Sequence, residues 1–147
     1  MMGEPLQILL VEDNQDHAEL ILRGLVNHRV ANKVHHVVDG EAALDYLNRR
    51  GQYGDETMYP MPHLILLDLR LPKIDGLQVL RELKEQENLR RVPVVVLSTS
   101  KAEQDVAKAY DYHANSYLVK PVNFIDFTKL MDDLGFYWLA WNIKPNL

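Results

Sequence analysis

Acidic, hydroxylic and basic side chains follow four apolar runs of this sequence, each at the point where the run ends. In chain order they are Glu12 and Asp13 after LQILLV, Asp68 after LILL, Ser98 and Thr99 after PVVVL, and Lys120 after YLV. An apolar run of this kind that meets polar residues is typical of a buried strand entering a loop. A side chain at that point is held by a rigid element and can still be reached from solvent.

Together, these side chains have the composition of a magnesium and phosphate site. Carboxylates about 4 Å apart repel one another by roughly 4 kcal/mol per pair at an effective dielectric constant near 20, so one acid would take up a proton in the absence of a cation. Mg²⁺ removes that repulsion and binds carboxylates together with phosphate oxygens. Lys120 then supplies a positive charge for a phosphoryl oxygen, and a hydroxyl can hydrogen-bond another. Asp68 is left as a nucleophile that forms an acyl phosphate.

Each of these features also has an ordinary structural explanation when it is taken alone. Asp68 can cap a turn, and Glu12-Asp13 can begin a helix. The hydroxyls at 98–100 can cap another helix, and Lys120 can be a solvated charge beside a turn. The functional interpretation depends on their occurrence together at successive strand ends.

Strands and helices alternate five times along the chain, which predicts an α/β fold. The strands are predicted at 6–11, 34–38, 64–68, 93–97 and 117–119. Helices with apolar residues at the i, i+3, i+4, i+7 spacing follow each strand. Their start signals or apolar faces are Asp16 with Glu19, Asp39-Gly40, Asp75, Ser100 with Glu103, and Phe127, Leu130, Met131 and Leu134. Strict alternation implies a parallel sheet with helices on both faces, and ligands bind such sheets outside the carboxyl ends of the strands. Residues 51–62 are predicted to form a long, exposed loop.

The composition excludes several classes of protein. The 147 residues suit one domain with a sizeable core, and the formal net charge of -5 argues against nucleic acid as a partner. The chain has no cysteine, which excludes disulfides, zinc–thiolate sites and thiol catalysis. No apolar stretch approaches the roughly 20 residues that a bilayer needs, and the N-terminus does not have the pattern of a signal peptide. We therefore expect a cytoplasmic protein.

Four motifs resemble the receiver domain of two-component response regulators. They are VEDN at 11–14, LLDLRLPKIDG at 66–76, PVVVLSTS at 93–100 and SYLVKP at 116–121. The resemblance implies a flavodoxin-like receiver fold with a five-stranded parallel sheet in the order 2-1-3-4-5. It also implies a receiver domain over 1–134, followed by a short aromatic extension at 135–147 and no effector domain.

The resemblance assigns a role to each of the side chains at the strand ends. Asp68 is the phospho-acceptor, and Mg²⁺ is bound directly by Asp13, by Asp68 and by the backbone carbonyl of Arg70, with Glu12 acting through water. Lys120 pairs with the phosphoryl group, Ser98 with the adjacent Thr99 supplies the hydroxyl, and Ser98 and Tyr117 act as switch residues. The Lys120–Pro121 bond is usually cis in this family. Arg70 is a departure, since that position often holds a smaller or neutral side chain.

A narrower resemblance points to regulators that work with cyanobacterial and bacterial phytochromes. ANSYLVKPVNF, the loop at 51–62 and the FYW-containing tail carry it. It implies a phytochrome-like sensor histidine kinase as the partner and signalling through protein contacts, without nucleic acid or membrane. A homodimer is expected, through the fourth helix, fifth strand and fifth helix or through the C-terminal extension.

Four other readings remain open at the level of the sequence. An aspartyl-phosphate phosphatase would use the same groups, but it usually carries a second Asp two residues after the nucleophile, where this chain has Arg70. A flavin-binding module of this fold would need a phosphate loop after the first strand, where Glu12-Asp13 stand. A pseudo-receiver usually lacks one of the acids or the lysine. A phosphorelay carrier without its own output would keep all of them. In the main reading the chain is a signalling phospho-acceptor, not an enzyme.

Overall fold

The computed structural model describes residues 5–26, 32–99 and 116–120, together with residues 125, 126, 129 and 132. The predicted fourth helix, the Lys120–Pro121 bond and the aromatic tail lie outside the described residues. Of the predicted fifth helix, the four isolated positions are described, and all four are helical and exposed. Among the helices that the structure describes, none combines the length and the apolar character needed to cross a membrane.

The described residues form a five-stranded parallel sheet in the order β2-β1-β3-β4-β5, as predicted. The strands are β1 Leu6–Val11, β2 Asn32–Val37, β3 Leu64–Asp68, β4 Val94–Ser98 and β5 Ser116–Val119. The helices are α1 Gln15–Val26, α2 Gly40–Leu47 and α3 Gly76–Glu85, with a 3₁₀ helix at Gly51–Gly54. The first and third strands have the predicted bounds, and the other three differ by one or two residues.

Alternate side chains of the strands face opposite sides of the sheet and build two separate cores. On one side, Ile8, Leu10 and Leu66 pack with the buried face of α1. On the other side, Leu9 and Ile65 belong to the core that includes α2 and α3. Helices therefore cover both faces, and the central strands are apolar throughout because both of their faces are buried.

Two of the three predicted helix starts in the described residues are confirmed, and one is wrong. The carboxylate of Asp39 accepts a hydrogen bond from the backbone of Ala42 at 2.7 Å, and Asp75 caps α3 in the same way. Helix α1 does not begin with the predicted Asp16 and Glu19 pair. The side chain of Asn14 accepts from the backbone N–H of His17 at 3.0 Å. Asn competes equally well with Asp for a cap, so the pattern alone could not choose between them.

Most of residues 51–62 are exposed, as predicted, but two tyrosines of the segment pack against the folded domain. Tyr53 and Tyr59 pack against Tyr46 of α2, with ring centroids 5.0 to 5.8 Å apart. The hydroxyl of Tyr46 donates to the carbonyl of Pro60 at 2.8 Å. Three aromatic rings and one hydrogen bond therefore hold this segment against α2.

Candidate functional site

Strand register brings the predicted site residues to one edge of the sheet. Val11 of β1 is level with Leu67 of β3, so the next residues, Glu12 and Asp68, emerge side by side. On the other flank, β5 is level with the end of β4, and the backbone N–H of Lys120 donates to the carbonyl of Ser98 at 2.7 Å. Parallel pairing alone therefore gathers two acids, a hydroxyl and a lysine at the carboxyl ends of the strands.

Asp68 is buried at the last position of β3, with 4% of its surface exposed. Its Oδ1 accepts a hydrogen bond from the backbone N–H of Arg70 at 3.1 Å. Its Oδ2 accepts one from Lys120 Nζ at 2.9 Å. Both oxygens are thus held in fixed directions, as the prediction of a rigidly mounted acid requires.

Lys120 carries its ammonium group into the centre of the site. Its side chain is 5% exposed, and Nζ lies 2.9 Å from Asp68 Oδ2 and 2.5 Å from Glu12 Oε1. Burial by itself would lower the pKa of Lys120, but Glu12 and Asp68 outweigh it and raise the pKa above its ordinary value. The lysine therefore stays charged and serves as a fixed positive charge.

Glu12 is fully buried, and its burial disfavours the charged form of its carboxyl group. Its Oε2 accepts from the backbone N–H of Asn14 at 3.2 Å. Its Oε1 has a charged neighbour in Lys120 but no hydrogen bond of acceptable geometry within the described residues. Burial, and next the proximity of Asp68, raise the pKa of Glu12 to about 7, although Lys120 opposes the shift. One lysine therefore does not fully compensate the two buried acids.

The three acids fit a hard divalent cation. Oxygens of Glu12, Asp13 and Asp68 lie within 4.8 Å of one another, and Asp13 is the exposed member of the set. The donors are all oxygen, which suits Mg²⁺ or Mn²⁺. The raised pKa of Glu12 indicates that Lys120 alone does not balance these buried acids, and a divalent cation would supply the missing positive charge.

Gly76 holds the segment between β3 and α3 in place. The backbone N–H of Gly76 donates to the carbonyl of Leu69 at 2.9 Å. A Cβ atom at Gly76 would overlap the carbonyl oxygen of Asp68 and the backbone of Leu69. Above this contact, a cleft of about 550 Å³ is bordered by Asp13, Arg70 and their neighbours. The cleft therefore adjoins Asp13, the exposed acid of the site.

The remaining predicted residues lie where the strands place them, and one contact was not predicted. Ser98 is the last residue of β4 and is fully buried, whereas Thr99 is exposed. Tyr117 is half-buried and packs against the core on the side of α2 and α3. The unpredicted contact is made by His17 of α1, whose Nδ1 lies 3.1 Å from Lys120 Nζ. No local sequence pattern indicates this contact, because it joins residues 103 positions apart.

The fold and the site define the class of protein. Residues 8–132 match the model of the response regulator receiver domain. The chain therefore belongs to this family of signalling proteins, whose role is to accept a phosphoryl group.

Two of its relatives are covered almost completely by the match to this chain. The probable methanogenesis regulatory protein FilR2 of Methanothrix harundinacea (strain 6Ac) is 46% identical over 142 residues, which are 97% of this chain and 89% of that protein. Response regulator Rcp1 of Synechocystis sp. (strain ATCC 27184 / PCC 6803 / Kazusa) is 42% identical over 141 residues, 96% of this chain and 94% of that protein.

Solved structures give the same assignment. The bacteriophytochrome response regulator RtBRR superposes with a TM-score of 0.83 at 45% identity, covering 90% of this chain and 79% of that one. The phosphorylated cyanobacterial phytochrome response regulator RcpA has a TM-score of 0.76 at 42% identity, over 93% of this chain and 96% of that one. The Mn²⁺-bound form of Rcp1 has a TM-score of 0.74 at 41% identity, over 92% and 95%.

Proposed function

We propose that this chain accepts a phosphoryl group on Asp68 from the phosphohistidine of a sensor histidine kinase. The observation that carries the proposal is the carboxylate of Asp68, buried at a strand end with Lys120 Nζ 2.9 Å from its Oδ2. A carboxylate oxygen attacks phosphorus, the P–N bond to the imidazole breaks, and its electron pair returns to the ring. The product is an acyl phosphate on Asp68, and Lys120 balances the charge on the phosphoryl oxygens.

Mg²⁺ is the proposed cofactor of this transfer. Asp13, Asp68 and Glu12, with the backbone carbonyl of Arg70, would hold it. When bound, the cation neutralises phosphoryl oxygens and removes the repulsion between the acids. The all-oxygen donor set and the raised pKa of Glu12 support the proposal. So does the Mn²⁺-bound form of Rcp1.

Ser98 and Tyr117 are the proposed readout of the phosphorylated state. Burial of Ser98 at the end of β4, beside the strand that carries Asp68, favours a hydroxyl contact to the phosphoryl group, with Thr99 adjacent. Tyr117 packs against the core and is half-buried, so a movement of its side chain would also change the protein surface. This proposal keeps three predictions: a receiver domain over 1–134, a C-terminal extension at 135–147 and a homodimer. The chain signals by protein contacts and is not an enzyme in this proposal.

The partner kinase is proposed to be linked to a phytochrome. RcpA and RtBRR support this, since they are called a phytochrome and a bacteriophytochrome response regulator. FilR2 is equally similar and is named for methanogenesis. The rate of phosphotransfer to this chain from a phytochrome-linked kinase and from a methanogenesis-linked kinase distinguishes the two possibilities. We expect the phytochrome-linked kinase to be faster. The kinase draws its phosphoryl group from ATP, so we place the reaction in the cytoplasm.

Phosphorylation by acetyl phosphate tests the central step. The wild-type protein and Asp68→Asn are incubated with acetyl phosphate and Mg²⁺, and intact masses are followed over time. Asp45→Asn is the matched control, because Asp45 is a carboxylate of α2 that pairs with Arg50 at 3.4 Å, away from the strand ends. We expect the wild type and Asp45→Asn to gain one phosphoryl group and Asp68→Asn to gain none. Equal phosphorylation of Asp68→Asn would refute the assignment, and repeated turnover of p-nitrophenyl phosphate would favour the phosphatase.

A further inference from the structure

The ammonium group of Lys120 has three close neighbours. Asp68 Oδ2 accepts a hydrogen bond from it at 2.9 Å, and Glu12 Oε1 forms an ion pair with it at 2.5 Å. The third neighbour is Nδ1 of His17, at 3.1 Å. The three contacts come from β3, from the residue after β1 and from α1, so the tip of a long, flexible side chain is fixed from three directions.

The position of His17 is itself fixed. It lies in the first turn of α1, where its backbone N–H donates to Asn14 Oδ1 at 3.0 Å, and its side chain is half-buried. A charged lysine can only donate, so Nδ1 of His17 must be the acceptor in this contact. This contact requires the tautomer that carries its proton on Nε2.

His17 differs from the other two acceptors in what it does during the reaction. In the proposed function, the carboxylates of Glu12 and Asp68 are shared with a cation, and Asp68 also forms the bond to phosphorus. Nδ1 of His17 takes part in neither process. It is the acceptor that can keep its contact with Lys120 while the other two are engaged.

We propose that His17 is a positioning residue for phosphoryl transfer, which holds Lys120 Nζ against the edge of Asp68 so that one N–H remains directed at a phosphoryl oxygen. This inference rests on the proposed function. It extends the site to a residue of α1, and it makes the identity of that residue a determinant of the phosphorylation rate.

Three variants measure this role. His17→Phe keeps a planar ring but removes the acceptor, whereas His17→Asn keeps an acceptor close to the position of Nδ1. His63→Phe is the matched control, because His63 lies at the opposite end of β3, where its Nδ1 accepts from the backbone of Gln7 at 2.9 Å. The maximal rate and the half-saturating concentration of acetyl phosphate are measured for each, with the affinity for Mg²⁺ measured separately by calorimetry.

A hydrogen bond from a charged donor corresponds to about a tenfold change in rate. We expect His17→Phe to lower the maximal rate about tenfold with Mg²⁺ affinity within about twofold of wild type, and His17→Asn to recover most of the rate. His63→Phe should keep the wild-type rate. The ¹⁵N NMR spectrum of the wild type should show His17 as the Nε2–H tautomer.

Several outcomes would overturn the inference. Wild-type rates in His17→Phe would do so, and so would an Asn variant as slow as the Phe variant, or a proton on Nδ1 in the wild type. Those results leave the proposed function intact if the wild type is phosphorylated and Asp68→Asn is not. A wild type that gains no phosphoryl group would remove both.

Discussion

Glu12 is expected to destabilise the metal-free protein, and its replacement by Gln should therefore stabilise it. Burial raises the pKa of this carboxyl from 4.5 to about 7. An acid with a raised pKa binds more protons in the folded state than in the unfolded state, so stability is lost as the pH rises from the unfolded value through the folded one. Gln keeps the shape and the acceptor oxygen of the side chain but cannot ionise.

The magnitude follows from the difference between the two pKa values. A difference of about 2.5 units corresponds to about 3 kcal/mol once the pH is above both, and to about 1 kcal/mol near pH 5. We expect Glu12→Gln to exceed the wild type in free energy of unfolding by these amounts at about pH 8 and about pH 5. Urea unfolding in EDTA, followed by circular dichroism, measures both. Glu19→Gln, at an exposed position of α1, is the control and should stay within about 0.5 kcal/mol of wild type.

One result would contradict this reasoning. If Glu12→Gln is no more stable than wild type at the higher pH, then attraction to Lys120, 2.5 Å away, outweighs the cost of burying the carboxylate. Added Mg²⁺ supplies a second test, because a cation bound only by the folded state stabilises it. We expect Mg²⁺ to stabilise the wild type more than Glu12→Gln, and an equal effect would argue against Glu12 as a ligand.

Two further predictions concern the elements that hold the site. Gly76→Ala should lower the free energy of unfolding by about 2 kcal/mol or more and slow phosphorylation, because its Cβ would overlap the carbonyl of Asp68. Gly24→Ala in α1, where a Cβ meets no atom within 4 Å, should instead stabilise by about 0.5–1 kcal/mol, and urea unfolding distinguishes the two. Tyr46→Phe removes the hydrogen bond to Pro60 and should lower the free energy of unfolding by about 1 kcal/mol. Proteolysis at 51–62 should become faster, whereas phosphorylation should not change. Unchanged proteolysis would refute the packing argument.

The sheet was predictable because its strands are continuous apolar runs. β1 and β3 have the predicted bounds, since each run ends at a charged residue, Glu12 and Asp68 respectively. The caps Asp39 and Asp75 were also predicted, because a single side chain at a helix start makes the whole interaction. The first helix was misassigned because Asn14 and Asp16 both suit a cap, and only the surrounding chain distinguishes them.

What the sequence did not reveal depends on contacts between distant residues. Tyr53 and Tyr59 have no periodic pattern, and their packing on Tyr46 exists only once α2 and the following segment are folded together. The contact of His17 with Lys120 joins residues 103 positions apart. No local signal measures such a distance, although the family pattern places Lys120 at the site.

The site owes its geometry to strand register and not to loops. Glu12, Asp68 and Lys120 each stand at or one residue beyond the end of a strand whose backbone is paired with its neighbour, so their separations are set by parallel hydrogen bonding. Such a scaffold holds like charges together at a cost that a metal-free protein cannot fully relieve, as the raised pKa of Glu12 shows. That cost is useful in a receiver, because a cation and a phosphoryl group then act on a site that is already assembled. The free energy of binding the cation and the phosphoryl group can then shift the surrounding elements, because it is not needed to bring the ligands together.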